Sequence, residues 1–369
     1  MRIGIPKEIK PQENRVSTVP MTVAELVRRG HEVVVEHNAG AGCGFFDEDY
    51  QQAGATILPD ADAVFHHAHM IIKVKEPQPP ELQRLRPDHI LFTYLHLAAD
   101  KKLTESLIAT GCTAIAYETV AVNGKLPMLE PMSEVAGRMS AIYGAAMLAK
   151  HHTGSGVLLP GVPGVPAGKV MVIGGGTAGL NAAKIALGLG AEVTILDVNT
   201  ERLRYLDIAL PKVRTLYSTP EHIAELLPDT DLVIGAVLVP GAAAPKLIRR
   251  HHLKLMKPGS VVVDIAVDQG GCCETTRPTT HQDPVYLEEG IVHYCVANMP
   301  GAYARTSTEA LSNATRPWTL LLADKGVAAA CEQRHELWDG INTTQGKLTC
   351  TPVAEAHGLT ASNPQTLLN

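Results

Sequence analysis

A cluster of glycines with a fixed spacing follows an apolar, β-branched run near the middle of the chain. The run and the glycines are Val170–Ile173, Gly174, Gly176 and Gly179. Residues 180–189 are rich in alanine and leucine and predict a helix, and a second β-branched run ends at Asp197. Glycine permits a tight turn from strand to helix and a close approach of the backbone to phosphates. This order of strand, glycine loop, helix, strand and acid is typical of a dinucleotide site, although a glycine-rich turn between core elements is the alternative.

The acid at the end of the second run bears on which dinucleotide binds. A carboxylate at the position of Asp197 accepts hydrogen bonds from the adenosine ribose hydroxyls. It also repels a 2′-phosphate, by about 1 to 4 kcal/mol for a close pair of charges. Arg202 and Arg204 lie near enough in sequence to reduce this discrimination against a 2′-phosphate. We therefore expect NAD rather than NADP as the cofactor.

Two cations and a histidine follow predicted strands in the first third of the chain. Lys75 follows the strand 70–74, His96 follows 90–94, and Arg15 lies in the loop after the first strand. Ligands bind beyond the carboxyl ends of parallel strands, so these side chains are expected at one rim. There the cations could hold a carboxylate, and a histidine could act as general acid or base. The alternatives are surface charges for the cations and a half-buried structural histidine.

A further acid, Asp268, lies on a glycine-flanked loop within residues 264–271. It is a second acid–base candidate, and a turn or capping aspartate is the alternative. The cluster His66-His67-x-His69 lacks the ordered partners of a zinc site, so no metal is expected. The pair Cys272-Cys273 shows no neighbour that would lower a thiol pKa, which favours a structural role.

The elements that must position these residues alternate strand with helix in both halves of the chain. Strands are predicted at 2–5, 32–36, 70–74, 90–94, 113–117, 170–173, 192–196, 213–217, 231–237, 260–265 and 291–296. Such alternation predicts an α/β fold with two doubly wound parallel-sheet domains. A capping box at Thr306-x-x-Glu309 predicts a helix over 307–323. Because the C-terminal residues are too few and too poor in strands to stand alone, we predict a Rossmann nucleotide domain (128–304) inserted into a split substrate domain (1–127 and 305–369).

Length, charge and composition narrow the classes of function. The 369 residues suffice for two domains, and a net charge of −6 argues against binding to nucleic acid or to an anionic membrane surface. No apolar run approaches the roughly 18 residues of a membrane span, and the N-terminus lacks the apolar region of a signal peptide. The seven cysteines are scattered, which favours reduced thiols and a cytoplasmic location.

Several segments together resemble the alanine dehydrogenase family, and the resemblance runs nearly end to end. They are residues 4–8, 14–16, 73–77, 94–97, 132–138, 235–241, 264–271 and 296–300. Any one of these motifs alone would be unspecific, but jointly they are very specific. The resemblance implies reversible, NAD-dependent conversion of L-alanine to pyruvate and ammonia by a homohexamer.

The resemblance also implies roles for individual residues. Arg15 and Lys75 would bind the substrate carboxylate, with Asn298 contributing to the substrate site. His96 and Asp268 would be the acid–base pair, and the order in which they act stays open. The nucleotide site would be lined by Ser133, Gly174, Gly176, Thr177, Ala178, Gly179, Asp197, Arg202, Ser218, Val237, Leu238, Ile265, Asp268, Asn298 and Met299.

Two other functions remain open. One is the nucleotide-binding component of a proton-translocating transhydrogenase, which shares this architecture and works with membrane-spanning partners. The other is a non-catalytic NAD-binding structural or sensor protein. Lys75, His96 and Asp268 favour the dehydrogenase, because neither alternative needs residues that hold and protonate a substrate.

Overall fold

Strands and helices alternate along the chain in the computed structural model, which describes residues 1–237 and 244–368. The strands are β1 (Arg2–Ile5), β2 (Glu32–Glu36), β3 (Thr56–Leu58), β4 (Met70–Ile72), β5 (Ile90–Thr93), β6 (Thr113–Ala116), β7 (Lys169–Ile173), β8 (Glu192–Asp197), β9 (Arg214–Tyr217), β10 (Leu232–Gly235), β11 (Val261–Asp264), β12 (Val285–Glu288), β13 (Ile291–Tyr294), β14 (Ile341–Thr344) and β15 (Lys347–Leu348). The α-helices are α1 (Pro20–Arg28), α2 (Asp47–Gln52), α3 (Ala61–His67), α4 (Pro79–Leu82), α5 (Lys101–Thr110), α6 (Glu130–Met147), α7 (Thr177–Gly188), α8 (Thr200–Ala209), α9 (Pro220–Leu226), α10 (Ala304–Lys325), α11 (Val327–Gln333), α12 (Glu336–Gly340), α13 (Thr351–His357) and α14 (Pro364–Leu368). Short 3-10 helices span Ala41–Cys43, Leu97–Ala99, Tyr117–Thr119, Lys150–His152, Leu227–Asp229, Arg250–Leu255, Ile265–Gln269 and Met299–Tyr303. Within the described part of the chain, no helix is long and apolar enough to cross a membrane.

The chain divides into two compact units. The first consists of Met1–Met132 and Gly301–Asn369, and the second of Ser133–Pro300. The domain boundaries proposed from the sequence, 127/128 and 304/305, lie a few residues away and stay a prediction of where the functional domains divide.

The first unit is built on an eight-stranded sheet with the order β15-β14-β6-β5-β4-β1-β2-β3. The six strands from β1 to β6 pair in parallel, and β14 and β15 add antiparallel at one edge. Successive side chains of a strand face opposite sides of a sheet. Accordingly Met70 and Ile72 of β4 join one buried cluster, and Ile71 joins another. Both faces are therefore covered, as a doubly wound sheet requires.

The second unit is built on a seven-stranded sheet with the order β12-β13-β11-β10-β7-β8-β9. All pairs are parallel except β12 with β13. Val170 and Val172 of β7 join one buried cluster, and Met171 and Ile173 join the cluster on the other face. The predicted fold class, α/β with two doubly wound and largely parallel sheets, is confirmed.

The C-terminal segment contains strands that the sequence did not predict. β14 and β15 are short and rich in threonine and asparagine or lysine, so they lack the apolar run that marks the other strands. β14 is nevertheless fully buried, because it pairs with β6. The segment therefore completes the first sheet at its edge.

The predicted capping box of the long C-terminal helix is wrong. α10 begins at Ala304, two residues before Thr306, and no side chain caps its first turn. Glu309 pairs with Arg305 on the same helix and is not available to a capping box. The helix itself is longer than the predicted span 307–323.

Candidate functional site

The glycine loop of the second unit joins β7 to α7. The three glycines of its motif, Gly174, Gly176 and Gly179, are each required for a different reason. Gly174 has a φ of 97°, in the left-handed region. A Cβ at Gly179 would lie 1.8 Å from the carbonyl oxygen of Gly174, so the helix packs here directly on the turn. A Cβ at Gly176 would meet nothing within 4 Å. The open side of the loop is therefore at Gly176, where a phosphate would approach the backbone.

Asp197 ends β8 and is bound to the glycine loop. Its Oδ2 accepts the N–H of Gly175 at 2.6 Å, and its Oδ1 accepts the N–H of Asn199 at 2.8 Å. Each carboxylate oxygen has a second lone pair, so ribose hydroxyls can still donate to it. The first turn of α7 has no side-chain cap, which leaves N–H groups and the positive end of the helix dipole at the loop. These features of the described residues fit a dinucleotide.

The two arginines expected to soften the preference for NAD are engaged elsewhere. Arg202 donates from Nε to the carbonyl oxygen of Gly175 and from Nη2 to that of Gly176 at 3.3 Å, and its guanidinium lies 4.7 Å from the centre of the Tyr205 ring. Arg204 forms an exposed ion pair with Glu201. Arg202 thus supports the glycine loop, and Asp197 is bonded to backbone.

Most other residues predicted for the nucleotide site follow parallel strands of the same sheet. Thr177 and Ala178 open α7, Ser218 follows β9, Val237 follows β10, Ile265 follows β11, and Asn298 and Met299 come soon after β13. Ser218 donates its N–H to the carbonyl oxygen of Asp197 at 3.0 Å. Ser133 lies on α6 one turn before Gly137, whose Cβ would meet the carbonyl oxygen of Ala178 at 2.1 Å. Leu238 lies outside the described residues.

Asp268 is exposed and lies in the 3-10 helix after β11. Its Oδ2 accepts the N–H of Asn298 at 3.3 Å, and Asn298 itself has a φ of 59°. The capping role lies with a different acid: buried Asp264 accepts the N–H of Ala266 at 3.1 Å and that of Cys273 at 3.2 Å. Burial raises the pKa of Asp264 above its ordinary value. Asp264, and not Asp268, therefore caps this turn.

The two cations of the first unit are buried. Arg15 is 2% exposed and Lys75 is 9% exposed, so the alternative that both are surface charges is wrong. Glu13 binds Arg15 in bidentate fashion, accepting Nε–H at 2.7 Å and Nη2–H at 2.6 Å, while Nη1 lies 3.0 Å from the Met132 sulfur. These contacts fix the plane of the guanidinium.

His96 ends the loop after β5 in an unusual backbone conformation. Its φ of 52° lies in the left-handed region, and its side chain is 45% exposed. Glu118, which follows β6, accepts the N–H groups of His96 at 2.7 Å and Leu95 at 3.0 Å. The carboxylate of Glu118 therefore holds the backbone from which the imidazole extends.

Glu76 follows Lys75 and faces the His96 ring. Its Oε2 lies 3.4 Å from Nδ1 of His96, and its other oxygen pairs with Lys10. Burial alone would raise the pKa of Glu76, but the neighbouring His96 imidazole, the charge of Lys75 and the contact with the Lys10 ammonium outweigh it and hold this pKa well below its ordinary value. The carboxylate is therefore ionised at neutral pH.

Lys73, Glu8 and Glu81 form a second cluster of charged side chains, and all three are buried. Lys73 Nζ lies 2.9 Å from Glu8 and 2.7 Å from Glu81. Glu8 also accepts the N–H of Val74 at 2.6 Å, and Tyr117 donates its hydroxyl to the carbonyl oxygen of Lys73 at 3.0 Å. These bonds fix the chain that leads from β4 to Lys75.

Comparisons with known proteins cover the chain almost completely. Residues 4–136 match the family model described as alanine dehydrogenase/PNT, N-terminal domain, and residues 140–351 match the model for the C-terminal domain. The alanine dehydrogenase of Halomonas elongata is 55% identical over 97% of each chain, and that of Geobacillus stearothermophilus is 54% identical over the whole of each. This chain belongs to the alanine dehydrogenase/PNT family.

Two solved structures share this fold and differ in how similar their sequences are to this chain. An L-alanine dehydrogenase superposes with a TM-score of 0.93 at 49% identity, covering 97% of this chain and 99% of that one. The transhydrogenase from Sinorhizobium meliloti superposes with a TM-score of 0.81 at 27% identity, covering 95% and 99%. Of these two structures, the L-alanine dehydrogenase is markedly more similar in sequence.

Glu76 and Glu118 follow predicted strands, as Lys75 and His96 do, but no role in the site was predicted for them. Of the other clusters, His67 bonds with Glu32 at 2.6 Å and His69 with Arg2 at 2.7 Å, and the described residues hold no group of metal-ligating side chains. All seven cysteines are buried, and burial raises the pKa of the Cys272 thiol well above its ordinary value.

Proposed function

We propose that this protein is an NAD-dependent L-alanine dehydrogenase, which converts L-alanine to pyruvate and ammonia and catalyses the reverse reaction. The observation that carries the proposal is the rim of the first unit. Arg15, Lys75 and His96 follow β1, β4 and β5, which are adjacent in the sheet, and the two cations are buried while the histidine is accessible. A small carboxylate substrate with an acid–base requirement fits these residues.

The glycine loop and Asp197 would hold the dinucleotide, which accepts the hydride from the substrate Cα when it is bound. Gly176 and the first turn of α7 would meet the pyrophosphate, and Asp197 the ribose hydroxyls. Ser133, Ser218, Val237, Ile265 and Met299 are proposed to line the same site, with Leu238 from the segment outside the described residues.

Arg15 and Lys75 would bind the alanine carboxylate, with Asn298 assigned to the same substrate. Glu13 already holds the guanidinium of Arg15, so little side-chain freedom is lost when the carboxylate binds. Such orientation of a reacting bond provides a large share of the rate in many enzymes. Lys75, whose charge lies beside the carboxylate, can also polarise the carbonyl of pyruvate in the reverse direction.

His96 and Asp268 would share the proton transfers. Loss of hydride from Cα leaves an iminium, to which water adds as one proton is removed. A proton is then returned to the amino nitrogen, and ammonia leaves as the hydroxyl gives up its proton to a base and the carbonyl forms. Both side chains reach solvent, so each can exchange its proton between turnovers.

We also propose that the enzyme is a cytoplasmic homohexamer, as the family resemblance implies. The scattered cysteines are all buried and unbridged, which suits a reducing compartment. Size-exclusion chromatography with light scattering tests the assembly: a mass six times the 39.4 kDa of the chain supports it, and any other mass overturns it.

The test of function is NADH formation from L-alanine and NAD⁺ at alkaline pH, with a His96→Ala variant measured beside the wild type. We expect robust activity that falls by about 100-fold or more in the variant, the range for loss of a general acid–base. An inactive wild type that still binds NADH would contradict the proposal. The transhydrogenase component or a non-catalytic NAD-binding protein would then be the better assignment.

A further inference from the structure

Glu76 is an acid of the first-unit rim to which the mechanism above gives no role. Its side chain is 13% exposed, and Oε2 is buried and accepts no hydrogen bond from the described residues. That oxygen lies 3.4 Å from Nδ1 of His96. A buried carboxylate oxygen without another donor is unfavourable, so the imidazole N–H is its natural partner.

The His96 imidazole has little freedom to turn away from this partner. Glu118 fixes the backbone at Leu95 and His96, and the left-handed φ of His96 sets the direction in which the side chain leaves the chain. The Tyr94 ring lies 5.8 Å from the imidazole, centre to centre. With Nδ1 next to Glu76, Nε2 is the ring nitrogen left for chemistry.

Glu76 has several cationic or protonatable neighbours, whereas the His96 side chain has one acidic neighbour. Glu76 meets Lys10 on its other oxygen and lies within the field of Lys75, so three positive or protonatable groups face it. His96 meets only Glu76 side chain to side chain among the described acids, because Glu118 uses its carboxylate on backbone N–H groups. Glu76 is therefore held ionised next to the imidazole.

We propose that Glu76 is a positioning residue for His96, fixing its tautomer and its protonation through Nδ1. The neutral imidazole keeps its proton on Nδ1, towards Glu76, and offers an unprotonated Nε2. When Nε2 takes a proton from the reacting groups, the carboxylate stabilises the imidazolium. The inference rests on the proposed acid–base role of His96 and adds the group that prepares it.

The first experiment compares the pH profile of kcat/KM for L-alanine in the wild type and in Glu76→Gln. Glutamine keeps the shape and an acceptor oxygen but removes the charge, so the limb of the profile that reports His96 should move to lower pH by about one unit. That limb is identified by its absence from the residual activity of His96→Ala. Glu76→Asp retains the charge, so in this variant the limb should stay close to its wild-type position. Glu105→Gln, at an exposed position on α5, should leave the profile unchanged.

The second experiment does not require turnover. Diethyl pyrocarbonate modifies neutral imidazole, and its reaction with His96 can be followed by mass spectrometry of the tryptic peptide 85–101. His89 lies in the same peptide and is 1% exposed, so it serves as an internal control that should resist modification. The pH midpoint for modification of His96 should be about one unit lower in Glu76→Gln than in the wild type.

The two readouts separate failure of the inference from failure of the proposed function. An inactive wild type would contradict the proposed function. The pH midpoints for modification would still show whether Glu76 affects the protonation of His96. An active wild type whose profile and midpoint are unchanged in Glu76→Gln would overturn the inference. That holds even if the variant loses activity or thermal stability uniformly, because a merely structural role would not move either pH midpoint.

Discussion

The two units hold their candidate functional groups by different means. In the second unit the partners are backbone atoms: Asp197 accepts N–H groups, and Gly179 approaches the carbonyl oxygen of Gly174. In the first unit the buried cations are held by side chains: Glu13 binds Arg15, and two buried glutamates bind Lys73. A ligand with invariant phosphates and ribose suits fixed backbone geometry, whereas a small carboxylate and moving protons require charges that the protein must itself balance.

This difference predicts different kinds of failure. A change in the glycine loop of the second unit should act through steric fit, and its effect should be nearly independent of pH. A change in the first unit should act through unbalanced charge, which is expensive away from water. The predictions below separate these mechanisms, from the largest expected effect to the smallest.

Replacing Lys73 by methionine should have the largest effect on stability. The substitution leaves the carboxylates of Glu8 and Glu81 buried without their shared cation, and breaking a buried ion pair in this way costs about 3–5 kcal/mol. Urea unfolding of the variant measures the loss.

Two controls test whether unbalanced charge is the cause. Lys101→Met removes the cation of an exposed pair with Glu105 and should change stability by less than about 1 kcal/mol. Adding Glu81→Gln to Lys73→Met should recover part of the loss, since it removes one of the stranded charges. If the double variant is no more stable than Lys73→Met, electrostatics is not the reason.

Replacing Gly179 by alanine should have the largest effect on dinucleotide binding. Its Cβ would lie 1.8 Å from the carbonyl oxygen of Gly174, so the loop and the start of α7 must separate. We expect the dissociation constant of NADH to rise by about 100-fold, which corresponds to about 2.7 kcal/mol. Fluorescence titration with NADH provides the measurement.

Gly188 at the other end of α7 offers the matched control. A Cβ there would meet nothing within 4 Å, and its φ is not in the left-handed region. Gly188→Ala should leave NADH binding unchanged and raise stability by up to about 1 kcal/mol, because alanine is the better helix former. Equal losses of NADH affinity in both variants would contradict the steric argument.

Replacing Glu13 by glutamine should weaken substrate binding more than turnover. The amide can bind Arg15 through one oxygen only, so the guanidinium loses its bidentate partner and its fixed plane. We expect KM for L-alanine to rise by about 10-fold, or about 1.4 kcal/mol, with a smaller change in kcat. A fall in kcat at constant KM would show instead that Glu13 acts on the chemical step.

The same contrast explains which parts of the site could be predicted from the sequence. The glycine spacing and Asp197 lie within one local segment, so strand, loop and acid can be recognised together. Glu76, His96 and Glu118 follow β4, β5 and β6, and their contacts exist only because these strands are adjacent in the sheet. Residue order does not fix that adjacency, so the contacts of Glu76 and Glu118 with His96 could not be predicted. β14 and β15 were missed because β14 is mostly polar and β15 has only two residues, so neither shows the apolar run that marks the other strands.

The smallest effects we predict concern how the contributions of Asp264 and Glu76 to the unfolding free energy change with pH. The two contributions should change in opposite directions. Burial raises the pKa of Asp264 in the second unit, so its contribution to stability is greatest at low pH and is lost as the pH rises through the folded value. Surrounding charges lower the pKa of Glu76 in the first unit, so its contribution is present above the unfolded value of about 4.3 and is lost as the pH falls below it. The difference in unfolding free energy between wild type and Asp264→Asn should therefore shrink as pH rises from about 3.5 to 7. The difference between wild type and Glu76→Gln should grow over the lower part of that range and then level off. Slopes of the same sign in both variants would mean that the two acids are not held in opposite ways.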